Sequence, residues 1–520
     1  MDPDRRRLLQ ILGVGALGGL AGCQVNGTDT TTTESPTATT TDKPTTTATN
    51  TDQSSTAQPE VTGLDTDRLV GAHYYPWYEM DGGHENWTDS CVATPVLGEY
   101  AADDPAVIDQ HLTWCLNHGI NWLSVSWWGE GSGSDAALRN GLLEAEKFEQ
   151  MSFSILYETT LLRQYGYDLD NQYTRDHLIS DFQYLEEGFF RRDNYLQIDG
   201  RPVVFFWISH TFQGDAEAAF DEITAALDTD VYILAGLPFG QSLGLAPIEA
   251  AADGVTSYNP YSPREDIEEV FHEMYSQGLQ TMNLSARATD MDFVPVVIPG
   301  FNDTGIPDSQ REDNPVLSAS PERYERVCEQ VKPHLADSKA VLITSFNEWY
   351  ENTQIEPNEE YGTAYLETTA DRLATGESSG YDPSGKVLRL VFNKTMVPEE
   401  INSESSDTRR LAFMADQLRI YAGDERLAEF DIGNPREEPI FLTGAFHTAS
   451  NDEMTLRWLG GLMAETSLFI SGDLEGADRA ELRGQPIQSN EISATVYFDG
   501  EQTDQVNFGR RTMTTFELQL

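Results

Sequence analysis

The stretch Ser345-Phe346-Asn347-Glu348-Trp349-Tyr350-Glu351-Asn352-Thr353-Gln354-Ile355-Glu356-Pro357 sets two glutamates three positions apart among amides and aromatic residues. It follows the apolar run Ala340-Val341-Leu342-Ile343 directly. Two carboxyl groups in different protonation states are what glycosidic-bond hydrolysis requires: one protonates the leaving oxygen, the other acts as base or nucleophile. Nearby rings and like-charge repulsion are the means available to raise one carboxyl pKa relative to the other. Asn347, Trp349 and Gln354 are candidates to position sugar hydroxyls and exclude water. Glu356, Glu359 and Glu360 follow at once and read as solvated surface.

Spacing alone is a moderate signal, because the chain carries 86 Asp plus Glu against 33 Lys plus Arg, a formal net charge of -53. Only 6 of the basic residues are lysines, and the acid is spread along the chain instead of forming one tail. A dispersed acidic coat keeps a protein hydrated at high salt, where self-repulsion is screened, and so points to a halophile. It argues against nucleic acid or anionic membrane surfaces as partners, since those need clustered Lys and Arg.

The elements that must hold the pair alternate between β-rich runs and segments of helical period. Strands are expected near Leu69 to Tyr75, Asn121 to Trp128, Phe153 to Glu158, Val203 to Ile208, Val231 to Gly236, Gly254 to Tyr258, Val294 to Pro299 and Val341 to Phe346. Between them lie helical stretches such as Asp104 to Gly119, with a capping Asp and a first-turn Pro105, and Ser134 to Gln150, Asp215 to Thr229 and Ser320 to Leu335. The pattern predicts an α/β fold, a (β/α)8 TIM barrel, over 61–375. A doubly wound open sheet is the alternative, but no GxGxxG follows a strand.

Catalytic residues of such barrels sit at the C-terminal strand ends, and those ends here are aromatic and polar: His73 to Tyr78, Ser124 to Gly131, Leu156 to Thr160, Ser257 to Ser262, Pro299 to Thr304 and Ser345 to Asn352. Rings beside carboxylates and amides suit carbohydrate, whose C–H faces stack while its hydroxyls need fixed partners. Alternation sends one of Trp127 and Trp128, and one of Tyr74 and Tyr75, to the core and the other to the mouth. Glu158 ends an apolar strand, either as part of a site or in a salt bridge at the barrel mouth. His73 and His210 lack metal-ligand spacing and read as hydrogen-bonded structural residues.

The flanking segments concern location. Residues 1–23 combine Arg5-Arg6-Arg7, a short apolar run and Leu20-Ala21-Gly22-Cys23, as in a twin-arginine export signal ending in a lipobox, with Cys23 the lipidation site. An ordinary cleaved signal with an incidental cysteine is the alternative. Residues 24–60 form a Thr-rich stalk too polar to fold, so the rest is expected on the outer face of the cell membrane, anchored through lipid only. A disulfide between Cys91 and Cys115 is conceivable, and Cys328 would remain. After the linker 376–385, short alternating runs over 386–520 predict a C-terminal β-sandwich. No motif there decides between glycan binding, packing on the barrel and surface attachment.

The motifs Gly71 to Tyr78, Asp104 to Gly131, Phe293 to Pro307 and above all Ile343 to Pro357 resemble those of glycoside hydrolase family 99, the endo-α-mannosidases and endo-α-1,2-mannanases, in the family's order over about 68–375. The resemblance implies a (β/α)8 barrel, no metal or cofactor, and endo-acting cleavage of an α-mannosidic linkage in an oligosaccharide or polysaccharide with retention of configuration. It also implies that the substrate's own 2-hydroxyl attacks the anomeric carbon, with Glu348 as the base on that hydroxyl and Glu351 as general acid. By weaker matches Tyr75, Trp128, Glu158 and Tyr258 would line the sugar subsites. Where the family commonly has His-Glu-Gly this chain has Tyr350-Glu351-Asn352, and Gly305-Ile306-Pro307 stand where an arginine is common. Some relatives carry a glycosyltransferase label, and a non-catalytic sugar-binding surface lipoprotein is the competing class.

Overall fold

The computed structural model describes residues 68–520 apart from 79–86, 88–90, 307–310, 337, 339, 376, 377, 379, 435, 436, 447, 448, 452 and 453. The export signal with Cys23 and the stalk lie outside the described residues.

Strands and helices alternate as β1 (Leu69–Tyr74), α1 (Pro105–Asn117), β2 (Trp122–Trp127), α2 (Gly133–Asn140), β3 (Ser152–Tyr157), α3 (Gln172–Leu185), β4 (Arg201–Phe206), α4 (Ala216–Ala225) and β5 (Tyr232–Gly236). They continue as β6 (Gly254–Thr256), α5 (Ile267–Ala288), β7 (split into Asp292–Phe293 and Val296–Val297), α6 (Pro321–Val331), β8 (Ala340–Ile343) and α7 (Ala364–Thr369). Successive strands pair in parallel from β1 to β6. Phe293 then pairs with Val255, Val297 with Ile343, and Val341 with Val70. Both pieces of β7 belong to one segment, so the sheet closes on itself as a (β/α)8-type barrel, not the open doubly wound sheet. Pro295 accounts for the split, because it has no N–H for a ladder, while its carbonyl still accepts from the Leu342 N–H at 3.0 Å. A short strand, Gln197–Ile198, pairs with β4 outside the ring.

Local signals act where the sequence places them. The Asp104 side chain accepts from the Ala106 N–H (2.8 Å) ahead of Pro105, and the chain leaves α1 through Gly119 at φ 75°. Asp215 and Ser320 cap α4 and α6 likewise. The helix expected over Ser134 to Gln150 is shortened, the segment after α2 becoming two 3₁₀ turns beyond Gly141, and a single 3₁₀ turn, Pro247–Ala250, joins β5 to β6.

Alternation along the strands divides two apolar layers. Val70, Ala72 and Tyr74 of β1 pack with Ile108 and Leu112 of α1, whereas Trp122, Leu156, Phe205, Leu234 and Leu342 fill the barrel interior. Gly71 makes that filling possible, because a Cβ there would lie 2.3 Å from the Trp122 ring. Gly71→Ala would therefore push the indole out of its slot, and burial of such a side chain contributes roughly 1.5–3 kcal/mol. Among the described residues none of Cys91, Cys115 and Cys328 forms a disulfide.

The C-terminal part contains β9 (Gly385–Phe392), β10 (Leu411–Ala422), β11 (Glu425–Asp431), β12 (Ile440–Thr443), β13 (Ala449–Asn451), β14 (Met454–Gly460), β15 (Glu465–Ser471), β16 (Arg479–Pro486), β17 (Ile492–Phe498), β18 (Glu501–Phe508) and β19 (Thr514–Gln519). One antiparallel sheet runs β12-β15-β9-β17-β18; the other runs β13-β14-β10-β16-β19, with β11 on β10. Leu388, Leu390 and Phe392 of the first share a core with Leu411, Phe413 and Leu418 of the second, the packing of a sandwich.

Candidate active site

Seven of the eight expected strands run one to three residues past the observed ends, the fifth ending at Gly236 as expected, and the overshoot marks the residues at the barrel mouth. Tyr75, Trp128, Glu158 and Tyr258 stand just past β1, β2, β3 and β6, where side chains reach the barrel mouth. With Trp77, Trp207, Ile306, Tyr350, Glu348 and Glu351 they line a cavity of about 440 Å³. Alternation sorts the doublets. Tyr74 turns outward, its hydroxyl 3.1 Å from His111 Nδ1, and Trp127 donates to Asp135 Oδ1 at 3.0 Å in the outer layer.

The loop after β8 is folded on itself. The Ser345 N–H donates to the Thr353 carbonyl (2.8 Å) and the Ile355 N–H to that of Ser345 (3.0 Å), while the Phe346 N–H ties the loop to the His73 carbonyl of β1 (2.8 Å). Ser345 Oγ accepts from the Glu348 N–H at 2.8 Å. Asn352 takes φ 52°, a left-handed conformation that glycine and asparagine tolerate best. The departure from glycine at this position thus preserves the backbone turn; Tyr350, by contrast, lines the cavity.

Glu348 and Glu351 are buried, 3% and 5% exposed. Burial raises the Glu348 pKa well above the usual range, and repulsion from Glu351 adds to it, against the donating N–H groups of Tyr350 and Glu351. Burial pushes Glu351 up to about 7, while the Tyr258 hydroxyl, donating to Oε2 at 2.9 Å, and the Arg311 charge oppose the shift. Tyr75 donates in turn to the Tyr258 hydroxyl (2.9 Å), and Thr344 Oγ1 holds the Tyr258 carbonyl (2.5 Å). Glu158 is raised to about 8 by burial, with Glu351 adding repulsion and the Ser126 hydroxyl, donating at 2.7 Å, opposing it. Among the described residues Glu158 has no ion-pair partner, so the salt-bridge reading of this residue does not hold. Three carboxyl groups in one low-dielectric cavity cannot all ionise near neutral pH, and the site therefore stores protons.

Three expected site residues stand elsewhere. Asn347 is fully buried and clamps β1: its Oδ1 accepts from the Tyr75 N–H (2.8 Å) and its Nδ2 donates to the Tyr75 carbonyl (3.0 Å). Trp349 points behind the loop, where Nε1 donates to Glu356 Oε2 at 2.9 Å. Gln354 is buried and donates to Asn352 Oδ1 at 3.2 Å. None of the three lines the cavity, because alternate residues of a short buried loop face its supporting layer.

Glu356, expected at the surface, is fully buried and accepts from the Tyr100 hydroxyl (2.7 Å) and Trp349, with His111 Nε2 at 3.1 Å. A carboxyl group with that many partners is a strut, and two of them, Tyr100 and His111, are far away in sequence. His73 also departs from expectation: both ring nitrogens are buried without a hydrogen-bond partner among the described residues, its ring stacks on Phe205 (5.2 Å), and burial lowers its pKa to about 3. The missed residue of most consequence is Arg311, buried and 3.3 Å from Asp303. It supplies positive charge toward Glu351 a few residues after Gly305-Ile306, where the family's arginine is lacking. Trp77 belongs to the cluster His73 to Tyr78, but proline at 76 hides its direction. Among the described residues no group of three or more His, Cys, Asp and Glu side chains could hold a metal ion.

A second cavity of about 640 Å³ adjoins the first through Trp207 and Tyr258 and is lined by Pro238, Asn259, Tyr261, Asp303 and Asn314 among others. Ile208 on its wall takes φ 45°, strained for a β-branched residue.

Residues 166–369 match the family described as "Glycosyltransferase WbsX". The chain is similar to the rat glycoprotein endo-alpha-1,2-mannosidase, 24% identical over 351 residues, 58% of this chain and 70% of that protein. It is 26% identical over 277 residues to the human glycoprotein endo-alpha-1,2-mannosidase-like protein, covering 50% of this chain and 56% of the relative. A solved "glycoside hydrolase-like protein" superimposes with a TM-score of 0.50 at 20% identity, over 60% of this chain and 96% of that one, and shares the fold. These similarities support a relationship to the endo-α-mannosidase group of glycoside hydrolases at low identity.

Proposed function

We propose that the protein is an endo-acting, retaining glycoside hydrolase that cleaves α-mannosidic linkages in a polysaccharide or surface glycan. The observation that carries this reading is the pair Glu348 and Glu351, buried together in an aromatic-walled cavity where burial raises the Glu351 pKa to about 7 against the Tyr258 hydroxyl that donates to it. In the scheme implied by the resemblance, Glu348 takes the proton of the sugar's 2-hydroxyl as that oxygen bonds to the anomeric carbon. Glu351 gives its proton to the departing oxygen. Water, deprotonated by Glu351, then opens the anhydro-sugar, and Glu348 returns its proton to O2. Inversion at each step leaves the configuration retained.

Burial raises the pKa of both carboxyl groups, and the scheme starts with the proton on Glu351. A dyad shares protons as one unit. The scheme therefore needs the shared proton on Glu351 and an ionised Glu348 facing the 2-hydroxyl when substrate is bound.

The family match favours one second reading, in which a sugar hydroxyl takes the place of water as acceptor. Incubation with α-mannan at high salt, beside Glu351→Gln, distinguishes them. Hydrolysis releases shorter oligosaccharides, α at the new reducing end by NMR, from wild type alone. Elongated products on adding an acceptor would favour transfer, and binding without product from either protein would leave a glycan-binding role.

We also propose that the chain works outside the cytoplasm, lipidated at Cys23 and displayed on the Thr-rich stalk. Cys23→Ser should then move the protein from the detergent phase to the aqueous phase in Triton X-114 partitioning; unchanged partitioning would refute the anchor.

A further inference from the structure

The loop from β5 to β6 has two faces. Its start, Gly236, Leu237 and Pro238, walls the second cavity. Its later part is bound to the sandwich: the Leu243 N–H donates to the Leu442 carbonyl (3.0 Å), the Gly444 N–H to that of Leu243 (2.7 Å), and the Leu462 N–H to that of Gly244 (2.9 Å). Leu243 and Thr443 thereby form a parallel bridge, so the loop acts as an added rung on β12. Ser242 completes the seam with a buried hydroxyl that donates to the Ala445 carbonyl (3.0 Å) and accepts from the Ala445 N–H (3.3 Å).

Further contacts fix the loop from the barrel side. The Glu249 carboxylate accepts from the N–H groups of Gly244, Leu245 (3.2 Å) and Ala246 (2.8 Å). Phe239 stacks on Tyr275 of α5 (5.6 Å, 9°) and lies where a Cβ on Gly278 would strike it. Helix α5 is itself seated on the sandwich through Leu284, which clusters with Leu442 and Phe469. Loop 236–246, whose start walls the second cavity, and α5, on which Phe239 stacks, therefore share one support.

We propose that the sandwich is a positioning module: by holding loop 236–246 it fixes the width of the second cavity, which receives sugar units beyond those held beside the acid pair. This rests on the glycan-active reading and assigns the C-terminal part a role in binding long substrates. An exposed or unsupported loop would be ordered only when substrate arrives, and that ordering would weaken binding. The module removes it beforehand.

The test is Ser242→Ala combined with Leu462→Pro in the full chain. The first removes the hydroxyl seam and the second the N–H to Gly244. Leu462 is exposed and second in the turn closed by the Ala464 N–H and the Gly461 carbonyl, a position that favours proline. Hydrogen exchange of a peptide covering 237–246 should accelerate at least tenfold, with the melting temperature of the sandwich unchanged. KM for α-mannan should rise about fivefold or more, while kcat and the turnover of a short aryl α-mannobioside stay within twofold. In the Glu351→Gln background, retention of the double variant in α-mannan affinity gels should weaken by a similar factor, a readout independent of turnover. Unchanged exchange, or faster exchange with equal losses on long and short substrates, would overturn the proposal. Absence of cleavage by wild type with the affinity-gel shift present would overturn hydrolysis alone; absence of α-mannan binding would overturn both.

Discussion

The barrel mouth and the sandwich use the same residue types under opposite rules. In the sandwich, carboxylates meet arginines: Arg457 grips Glu438 with two nitrogens, Nε at 2.6 Å, and Arg389 reaches Glu465 at 2.6 Å. At the mouth, Glu158, Glu348 and Glu351 are buried with hydroxyl and N–H donors, and Arg311 beside Asp303 is the cation that acts on Glu351. Exposed charge pairs add little stability. Buried acids without matching cations hold protons near neutrality, at a cost in stability that suits proton transfer. In so acidic a chain a glutamate is informative only through the company its fold gives it.

The largest way to break this contrast is to neutralise the pair. Glu348→Gln and Glu351→Gln should each lower kcat on α-mannan by roughly 10²–10⁴, and the double variant should lose far less than the product of the two. Additive losses would mean that the acids do not act as a unit.

A second effect lies in stability. The folded-state pKa of Glu158 is raised to about 8 from 4.5, so the fold binds this proton more tightly than the unfolded chain does. The stabilising contribution is complete below about 4.5 and is lost as pH rises through about 8. Glu158→Gln should therefore raise the melting temperature relative to wild type at pH 8 and not at pH 4.5; a pH-independent change would contradict the burial assigned to this carboxyl.

Smaller still is a shift in pH profile. The Tyr258 hydroxyl lowers the Glu351 pKa, so Tyr258→Phe should move the alkaline limb of kcat/KM, expected near 7, to higher pH. Movement to lower pH would place the acid elsewhere. At the far end of the comparison, Arg389→Met in the sandwich should alter unfolding free energy by no more than about 0.5 kcal/mol in urea titration.

Much of the barrel was legible because its signals are local. Alternating apolar runs, Asp104-Pro105 and Ser320-Pro321 each report a strand or a helix start without reference to the rest of the chain. The acid pair was visible for the same reason, as a polar cluster after a β run. What could not be read depends on distant partners: Glu356 looks like its neighbours Glu359 and Glu360 until Tyr100 and His111 are brought to it. Asn347 and Trp349 were assigned to the sugar because spacing does not show which way a buried loop turns its side chains. Arg311 lies beyond the motif that usually carries the arginine, and only the folded loop returns its charge to Glu351. The rung between Leu243 and Thr443 joins segments 200 residues apart and leaves no local mark.

Reducing-end release from α-mannan by wild type and Glu351→Gln, side by side at pH 6 in high salt, puts the catalytic role of the acid pair most directly to the test. Steady release by wild type and none by the variant, with equal melting temperatures, is the predicted result. Equal release from both proteins would contradict it, as would retention of mannan by both without release from either.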